Sequence, residues 1–215
     1  VFVPFCPTRC AYCSFVSMPI DRQRKLLRPY TDNLTQEILY LRETARKNGY
    51  SVRAVYIGGG TPTALPLPML DDVLAACGGT GAVEFTVEAG RPDTITEEVL
   101  DLLAARGVTR ISVNPQTFND ATLTRIGRRH TAANTEKAYA LARGRFDINM
   151  DLIAMLPGES EEDFRYSVDR AAELAPENVT VHTLYLKKGS DLRVGGYRST
   201  ENAVAERMVD YACRA

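Results

Sequence analysis

Six short apolar runs recur along the chain with helical patterns between them, and this alternation constrains the fold more than any other feature of the sequence. The runs are Val1 to Phe5, Val52 to Ile57, Val83 to Val87, Thr109 to Val113, Phe146 to Ile153 and Val179 to Leu186. Each has the length and the β-branched or aromatic content of a buried strand. Between them, Leu34, Ile38, Leu41 and Ala45 fall on one helical face that Asn48-Gly49 stops, and Leu67 to Ala76 forms a second helix. A third helix starts near Thr94 or Thr96 and ends at Gly107, with Glu97 and Glu98 in the first turn, where the helix dipole favours carboxylates. Ser160, followed by Glu161, Glu162 and Asp163, opens another in the same way. Strands alternating with helices pair in parallel, so the expected fold is α/β, an open, partial (β/α)6 TIM-like barrel with fewer strands than the eight of a closed one.

The 215 residues, 45% of them hydrophobic, suffice for one sizeable core. We expect a core domain over residues 1–190 and a C-terminal helical extension over 191–215, the start of a further region. A chain that begins at Val1, already inside an apolar run, also reads as a fragment. Net charge is −1 and the pI is near 6.2, which asks for no polyanionic partner such as nucleic acid. No apolar run approaches the ~18 residues that span a bilayer, and Val1 to Phe5 is too short for a signal-peptide core. A cytoplasmic protein without a membrane partner is expected.

Three of the five cysteines crowd into Cys6-Pro-Thr-Arg-Cys10-Ala-Tyr-Cys13, directly after the first expected strand. An odd cysteine count so clustered disfavours a disulfide framework. Thiolates are soft ligands suited to iron–sulfur clusters, and three of them hold three irons of a four-iron cube, leaving the fourth iron open to a ligand from outside the protein. The alternative is zinc, which in a structural site takes four ligands, and neither His130 nor His182 stands at finger-like spacing. Cys77 and Cys213 read as small buried hydrophobes.

Gly58-Gly59-Gly60-Thr61-Pro62 follows the second strand, where glycine lets backbone approach a ligand closely. Glu88, Asn114-Pro-Gln116, Arg128, Asp151 and Tyr185 fall at or near the ends of later strands, where barrel enzymes place working residues. Each also has a plainer reading. Glu88 can pair with Arg91, Arg128 can be a solvated charge, and Asp151 can satisfy backbone donors. His182, a lone histidine on an apolar strand, reads as a satisfied core residue, and Phe5 and Phe15 bracket the cysteines.

The C-x3-C-x2-C spacing, with Tyr12 before the last cysteine, resembles the radical S-adenosylmethionine (SAM) superfamily signature. The resemblance implies a barrel of the radical SAM type with a [4Fe-4S] cluster on Cys6, Cys10 and Cys13. It also implies SAM on the open iron, cleaved by one electron to methionine and a 5′-deoxyadenosyl radical. By the same resemblance the Gly58, Gly59, Gly60 and Thr61 turn binds SAM through its main chain, Tyr12 and Tyr185 lie against it, and Glu88, Gln116, Arg128 and Asp151 line the SAM and substrate pocket.

The phrases VPFCPTRCAYCSF, GGGTPT, VEAGRPDTIT, ISVNPQTFND, GRRHT and HTLYLKKGS together resemble the oxygen-independent coproporphyrinogen III oxidase family, nearest its coproporphyrinogen dehydrogenase branch of bacillus- and clostridium-type bacteria. That resemblance implies a tetrapyrrole substrate, decarboxylation of its propionates to vinyl groups, a place in haem biosynthesis, and an electron donor such as flavodoxin or ferredoxin. The sequence departs from the family's H-I-P-F-C phrase, having Phe2 where the histidine stands. Relatives with the same triplet act as haem-trafficking chaperones, so haem binding and delivery, or radical SAM chemistry on another substrate, are the alternatives.

Overall fold

The computed structural model describes residues 1–197 and 202–215; residues 198–201 of the expected C-terminal extension lie outside the described residues. The first half of the chain runs β1 (Phe2–Val3), β2 (Phe5–Cys6), β3 (Met18–Pro19), α1 (Arg24–Lys47), β4 (Ala54–Gly59), α2 (Leu67–Cys77), β5 (Glu84–Val87) and α3 (Glu97–Ala105). It continues through β6 (Arg110–Ser112), α4 (Asp120–Arg125), α5 (Ala132–Ala142), β7 (Asp147–Ala154), α6 (Glu161–Leu174), β8 (Asn178–Thr183), α7 (Asp191–Val194) and α8 (Asn202–Ala212). β1, β4, β5, β6, β7 and β8 pair in that order, all in parallel, as one sheet whose end strands are not joined to each other. This is the open, partial α/β barrel that the alternation predicts.

The central strands are largely buried on both faces. In β7, Ile148, Met150 and Leu152 are buried and belong to one core cluster with Leu70, Leu74, Leu100, Leu103 and Phe164 of the helical layer. Fully burying a side chain of this kind contributes about 1.5–3 kcal/mol. Thr96 caps α3 by accepting from the Val99 amide, and Ser160 forms a reciprocal capping box with Asp163 at the start of α6.

Four sequence expectations are corrected. The first run does not form one strand, because Pro4 lacks the N–H a ladder needs; the chain passes from β1 in the main sheet to β2, which pairs with β3 in a separate ribbon. Helix α1 begins ten residues before Leu34 and carries Pro29 inside it. Its buried stripe is Leu27, Thr31, Leu34 and Ile38, then the face reaches Arg42, which donates to the Ala76 carbonyl, leaving Leu41 57% exposed. Finally, β8 stops at Thr183 and, as an edge strand, is largely exposed instead of buried.

The turn between β7 and α6 uses left-handed backbone at Met155 (φ 70°) and Gly158 (φ 71°). From it Glu159 reaches inward, accepts from the Thr117 hydroxyl, and leaves its second oxygen buried without a partner. Burial pushes this carboxyl from its ordinary 4.5 up to about 7. Because the folded value is the raised one, the associated stability is present below about pH 4.5 and is lost as pH rises through about 7. Glu159→Gln is therefore expected to be more stable than the parent at pH 8, by on the order of 3 kcal/mol at about 1.4 kcal/mol per unit, with the gap closing toward pH 4.5. Urea unfolding of both proteins at several pH values checks this, and parallel pH profiles would refute it.

Candidate active site

The strand direction places the loops after every strand on one rim, and these loops enclose a cavity of about 340 Å³. Cys6 sits at the end of β2, with Cys10 and Cys13 on the loop that follows; all three thiols are partly exposed and line the cavity. Several contacts pin that loop. The Ala11 amide donates to the Ile126 carbonyl (3.0 Å), the Thr8 hydroxyl donates to the Gly127 carbonyl (2.8 Å), and the Cys13 amide donates to the Cys10 carbonyl (3.0 Å). The Thr61 hydroxyl donates to the Cys6 sulfur at 3.6 Å, and burial pushes the Cys6 thiol up.

The glycine turn meets this loop backbone to backbone. The Gly60 amide donates to the Val3 carbonyl (2.7 Å) and the Thr61 amide to the Phe5 carbonyl (2.7 Å). A Cβ on Gly60 would lie 2.6 Å from the Phe5 carbonyl oxygen and 3.0 Å from the Cys6 sulfur. Gly59, at φ 106°, carries the Phe2 ring against it and lines the cavity, whereas Gly58 stands behind it against Tyr56 and Glu88.

Across the cavity, Glu88 accepts from the Tyr56 hydroxyl (2.5 Å) and the Gly59 amide (3.2 Å). It does not pair with Arg91, whose partner is Asp93. Asp151 accepts from two side-chain amides, Asn114 on Oδ2 (2.8 Å) and Asn149 on Oδ1 (2.7 Å), instead of backbone donors. Gln116 lines the cavity on a left-handed backbone (φ 68°), a conformation rare outside glycine and held here by the hydrogen bond its backbone amide donates to the Asp151 carbonyl (2.9 Å). Arg128 is buried, not a solvated charge; it donates to the carbonyls of Asn114 (2.8 Å) and Gly90 (3.1 Å) and to the Tyr12 hydroxyl (3.1 Å). Burial also drives the Tyr12 phenol up, so it stays protonated.

The structure thus brings to one cavity every residue that the resemblance assigns to the cluster, SAM or the substrate, except Gly58. Tyr185, beyond the end of β8, is 76% exposed at the cavity margin. Three expectations change. His182 is exposed on the cavity wall because β8 is an edge strand; Phe5 packs edge-to-face on Tyr30 in the core, leaving Phe15 alone at the mouth; and Cys213 is exposed, unlike buried Cys77. Sequence reasoning missed Arg91, Asn149 and Lys187, and gave Asn114 no role of its own. Asn114 had a signal, standing at a strand end within a singled-out phrase, while Arg91 resembled any surface charge.

The donor chemistry suits a cluster and its ligand. Among the described residues no three His, Cys, Asp or Glu side chains converge on a single-ion site, and three thiols that each serve a different iron of a cube need not converge so closely. The buried Arg128 Nε has no hydrogen-bond partner among the described residues, which suits an anionic or carbonyl group entering the cavity.

Fold and rim together define a partial α/β-barrel protein with a three-thiol loop at its carboxyl edge. The chain belongs to the radical SAM superfamily, whose pattern matches residues 1–171. It is 41% identical over 197 residues to the oxygen-independent coproporphyrinogen-III oxidase-like protein HemZ of Bacillus subtilis (strain 168), covering 88% of this chain and 39% of that one. It is 33% identical over 202 residues to the heme chaperone HemW of the same organism, covering 87% and 50%. The solved coproporphyrinogen III oxidase HemN from Escherichia coli, a radical SAM enzyme, shares the fold with a TM-score of 0.81 at 24% identity, over 99% of this chain and 51% of that one. The chain spans about half or less of these relatives' lengths. No helix among the described residues is long and apolar enough to cross a membrane.

The contacts at Gly60 are with backbone oxygens that cannot swing away. Gly60→Ala is therefore expected to cost about 1–3 kcal/mol as overpacking, lowering the thermal midpoint by several degrees. Calorimetry at matched pH decides it; an unchanged midpoint would mean that the turn and the cysteine loop are less tightly apposed.

Proposed function

We propose that the chain holds a [4Fe-4S] cluster on Cys6, Cys10 and Cys13, binds SAM against Gly59, Gly60 and Thr61, and acts as a radical SAM oxidoreductase. On this reading its substrate is coproporphyrinogen III, whose propionates are oxidatively decarboxylated to vinyl groups. The observation that carries the reading is the convergence of the thiol loop, the glycine turn, Glu88 and Asp151 on one cavity. The bound cluster and SAM together would supply one-electron reductive cleavage and a hydrogen-abstracting adenosyl radical.

The protein's own residues would bind and orient. Glu88 and Asp151 are acceptors for a cationic amino group or for hydroxyls, each held by donors that fix its direction. Gly59 and Gly60 line the cavity with main chain, because the Phe2 ring and the Phe5 carbonyl oxygen occupy the space a Cβ would need. Buried Arg128 offers its unpartnered Nε to a carboxylate or carbonyl, and Gln116 adds an adaptable amide. At the rim, Lys187 is a cation for a propionate, and Phe15 and Tyr185 offer apolar faces to a large ring. A soluble one-electron donor, flavodoxin or ferredoxin, completes the reading, which places the protein in the cytoplasm.

The 41% identity to an oxidase-like relative supports the decarboxylation reading. A second reading, haem binding and delivery, is supported by the 33% identity to a heme chaperone. Anaerobic reconstitution of the full-length protein, incubation with SAM, reductant and coproporphyrinogen III, and mass spectrometry of the porphyrins separates them. Loss of two CO2 with 5′-deoxyadenosine formation is the expected result. Stoichiometric haem uptake and handover without decarboxylation would replace it with the chaperone reading, and SAM cleavage with neither would point to another substrate.

Two variants test the site. Cys10→Ser is expected to lose most iron and sulfide while Cys77→Ser keeps them, and four irons retained in Cys10→Ser would remove the triplet from the assignment. In Asp151→Asn, one amide N–H must face an amide donor of Asn114 or Asn149, which removes an acceptor worth about 1.5–3 kcal/mol as a charge-assisted bond. It is expected to keep the cluster and lose SAM cleavage by 10-fold or more; 5′-deoxyadenosine production at the parent rate would exclude Asp151.

A further inference from the structure

Arg91 is buried at 2% exposure and makes three side-chain hydrogen bonds. Its Nη1 donates to the Cys10 sulfur at 3.5 Å, Nη2 donates to the Thr8 hydroxyl at 3.0 Å, and Nε donates to Asp93 Oδ1 at 3.2 Å. Thr8 passes the contact on to the Gly127 carbonyl, so the guanidinium is clamped between the cysteine loop and the segment after β5. The backbone is fixed as well, since the amide and hydroxyl of Thr94 both donate to the Arg91 carbonyl (2.9 and 2.8 Å).

Asp93 Oδ1 faces a second nitrogen besides Arg91 Nε. His130 lies beyond Asp93, its Nδ1 3.9 Å from Asp93 Oδ1 and without a hydrogen-bond partner. Burial, with Arg128 and Arg91 adding repulsion, holds His130 down at about 3, so it is neutral at physiological pH. The cation that neutralises Asp93 is therefore Arg91, and the N–H that Arg91 directs away from Asp93 points at sulfur.

We infer that Arg91 sets the reduction potential of the cluster held by Cys10, with Asp93 as the positioning residue that holds and partly neutralises it. This rests on the cluster reading of Cys6, Cys10 and Cys13. The physical cause is differential stabilisation: reduction adds negative charge, and a buried guanidinium donating to a ligand sulfur stabilises the reduced state more than the oxidised one. Removing the guanidinium charge lowers the potential and makes the cluster harder to reduce. Removing the charge of Asp93 leaves the guanidinium uncompensated and raises it.

The opposite signs provide the test. Full-length protein and its Arg91→Gln, Arg91→Lys and Asp93→Asn variants are reconstituted anaerobically, assayed for iron and sulfide, and titrated with dithionite and redox mediators while electron paramagnetic resonance follows the reduced cluster. Arg91→Gln is expected to have a more negative midpoint than the parent, Asp93→Asn a more positive one, and Arg91→Lys a midpoint between those of Arg91→Gln and the parent. A purely structural role would move Arg91→Gln and Asp93→Asn in the same direction or not at all, and either result overturns the inference. If Arg91→Gln does not retain a cluster, Asp93→Asn decides alone: a raised midpoint supports the inference and an unchanged or lowered one overturns it. A parent protein that takes up no iron refutes the cluster reading itself, which is a different outcome from a loaded cluster with an unmoved potential.

Discussion

Parallel pairing is the constraint on which the rest of the molecule depends. Parallel strands cannot be joined by hairpins, so each return needs a crossover across the outer face, and all six carboxyl ends share one rim. The thiol loop, the glycine turn and Glu88 thereby become neighbours although they lie far apart in sequence. The helical layer sets the second condition. Because Ile148, Met150 and Leu152 must be buried beneath the helices, Asn149 and Asp151 take the other face, and a slip of one residue would exchange the two sets.

That inner face is polar, and its groups are paired with one another. The Asn114 amide holds one oxygen of Asp151 and the Asn149 amide the other, while the Asn149 side-chain oxygen Oδ1 accepts from Thr180 and Asn178. Buried networks of this kind are costly when incomplete, so each strand's polar residue fixes the orientation of the next. The charges divide across the cavity. Arg91 and Arg128 reach the cysteine side, whereas Glu88 and Asp151 stand on the β5 and β7 side. A ligand carrying both signs of charge would find its orientation prescribed by this division.

The strand order and the location of the site were legible because they rest on periodicity, strand ends and the cysteine spacing. What was not legible depends on where elements lie in space. Periodicity could show that β8 is a strand but not that it is an edge, which decides that His182 meets the cavity. Helix α5 escaped notice because its buried face includes Thr135, a polar residue that breaks the apolar pattern, and its capping box uses Asn134 instead of Glu or Gln. Leu41 fitted the helical face, but the packed face runs on through Arg42, which reaches the Ala76 carbonyl of α2, and Leu41 is left outside it. Arg91 escaped for a related reason. A buried arginine reads as a surface one until Asp93, Thr8 and Cys10 are seen around it.

The seam between the two ends of the sheet follows from the same geometry. With β1 and β8 not paired to each other, the segment after β8 reaches back to the thiol loop: the Leu192 amide donates to the Ala11 carbonyl at 2.9 Å, and Arg9 donates to the Gly189 carbonyl at 2.8 Å and lies 3.5 Å from Asp191. These contacts join residues about 180 apart in sequence, yet they are few, and the ion pair is solvent-exposed, worth at most about 1 kcal/mol. The opposite side of the thiol loop is different. It rests on the turn after α4, where Gly127 leaves no room for a Cβ against the Arg9 carbonyl oxygen at 2.9 Å and buried Leu123 and Ile126 anchor the turn to the core. The loop is thus fixed to the barrel on one side and tied on the other by two hydrogen bonds and an exposed ion pair, so local opening of the rim costs least along the seam, where the sheet stays intact and partly buried side chains such as Leu192 leave the core.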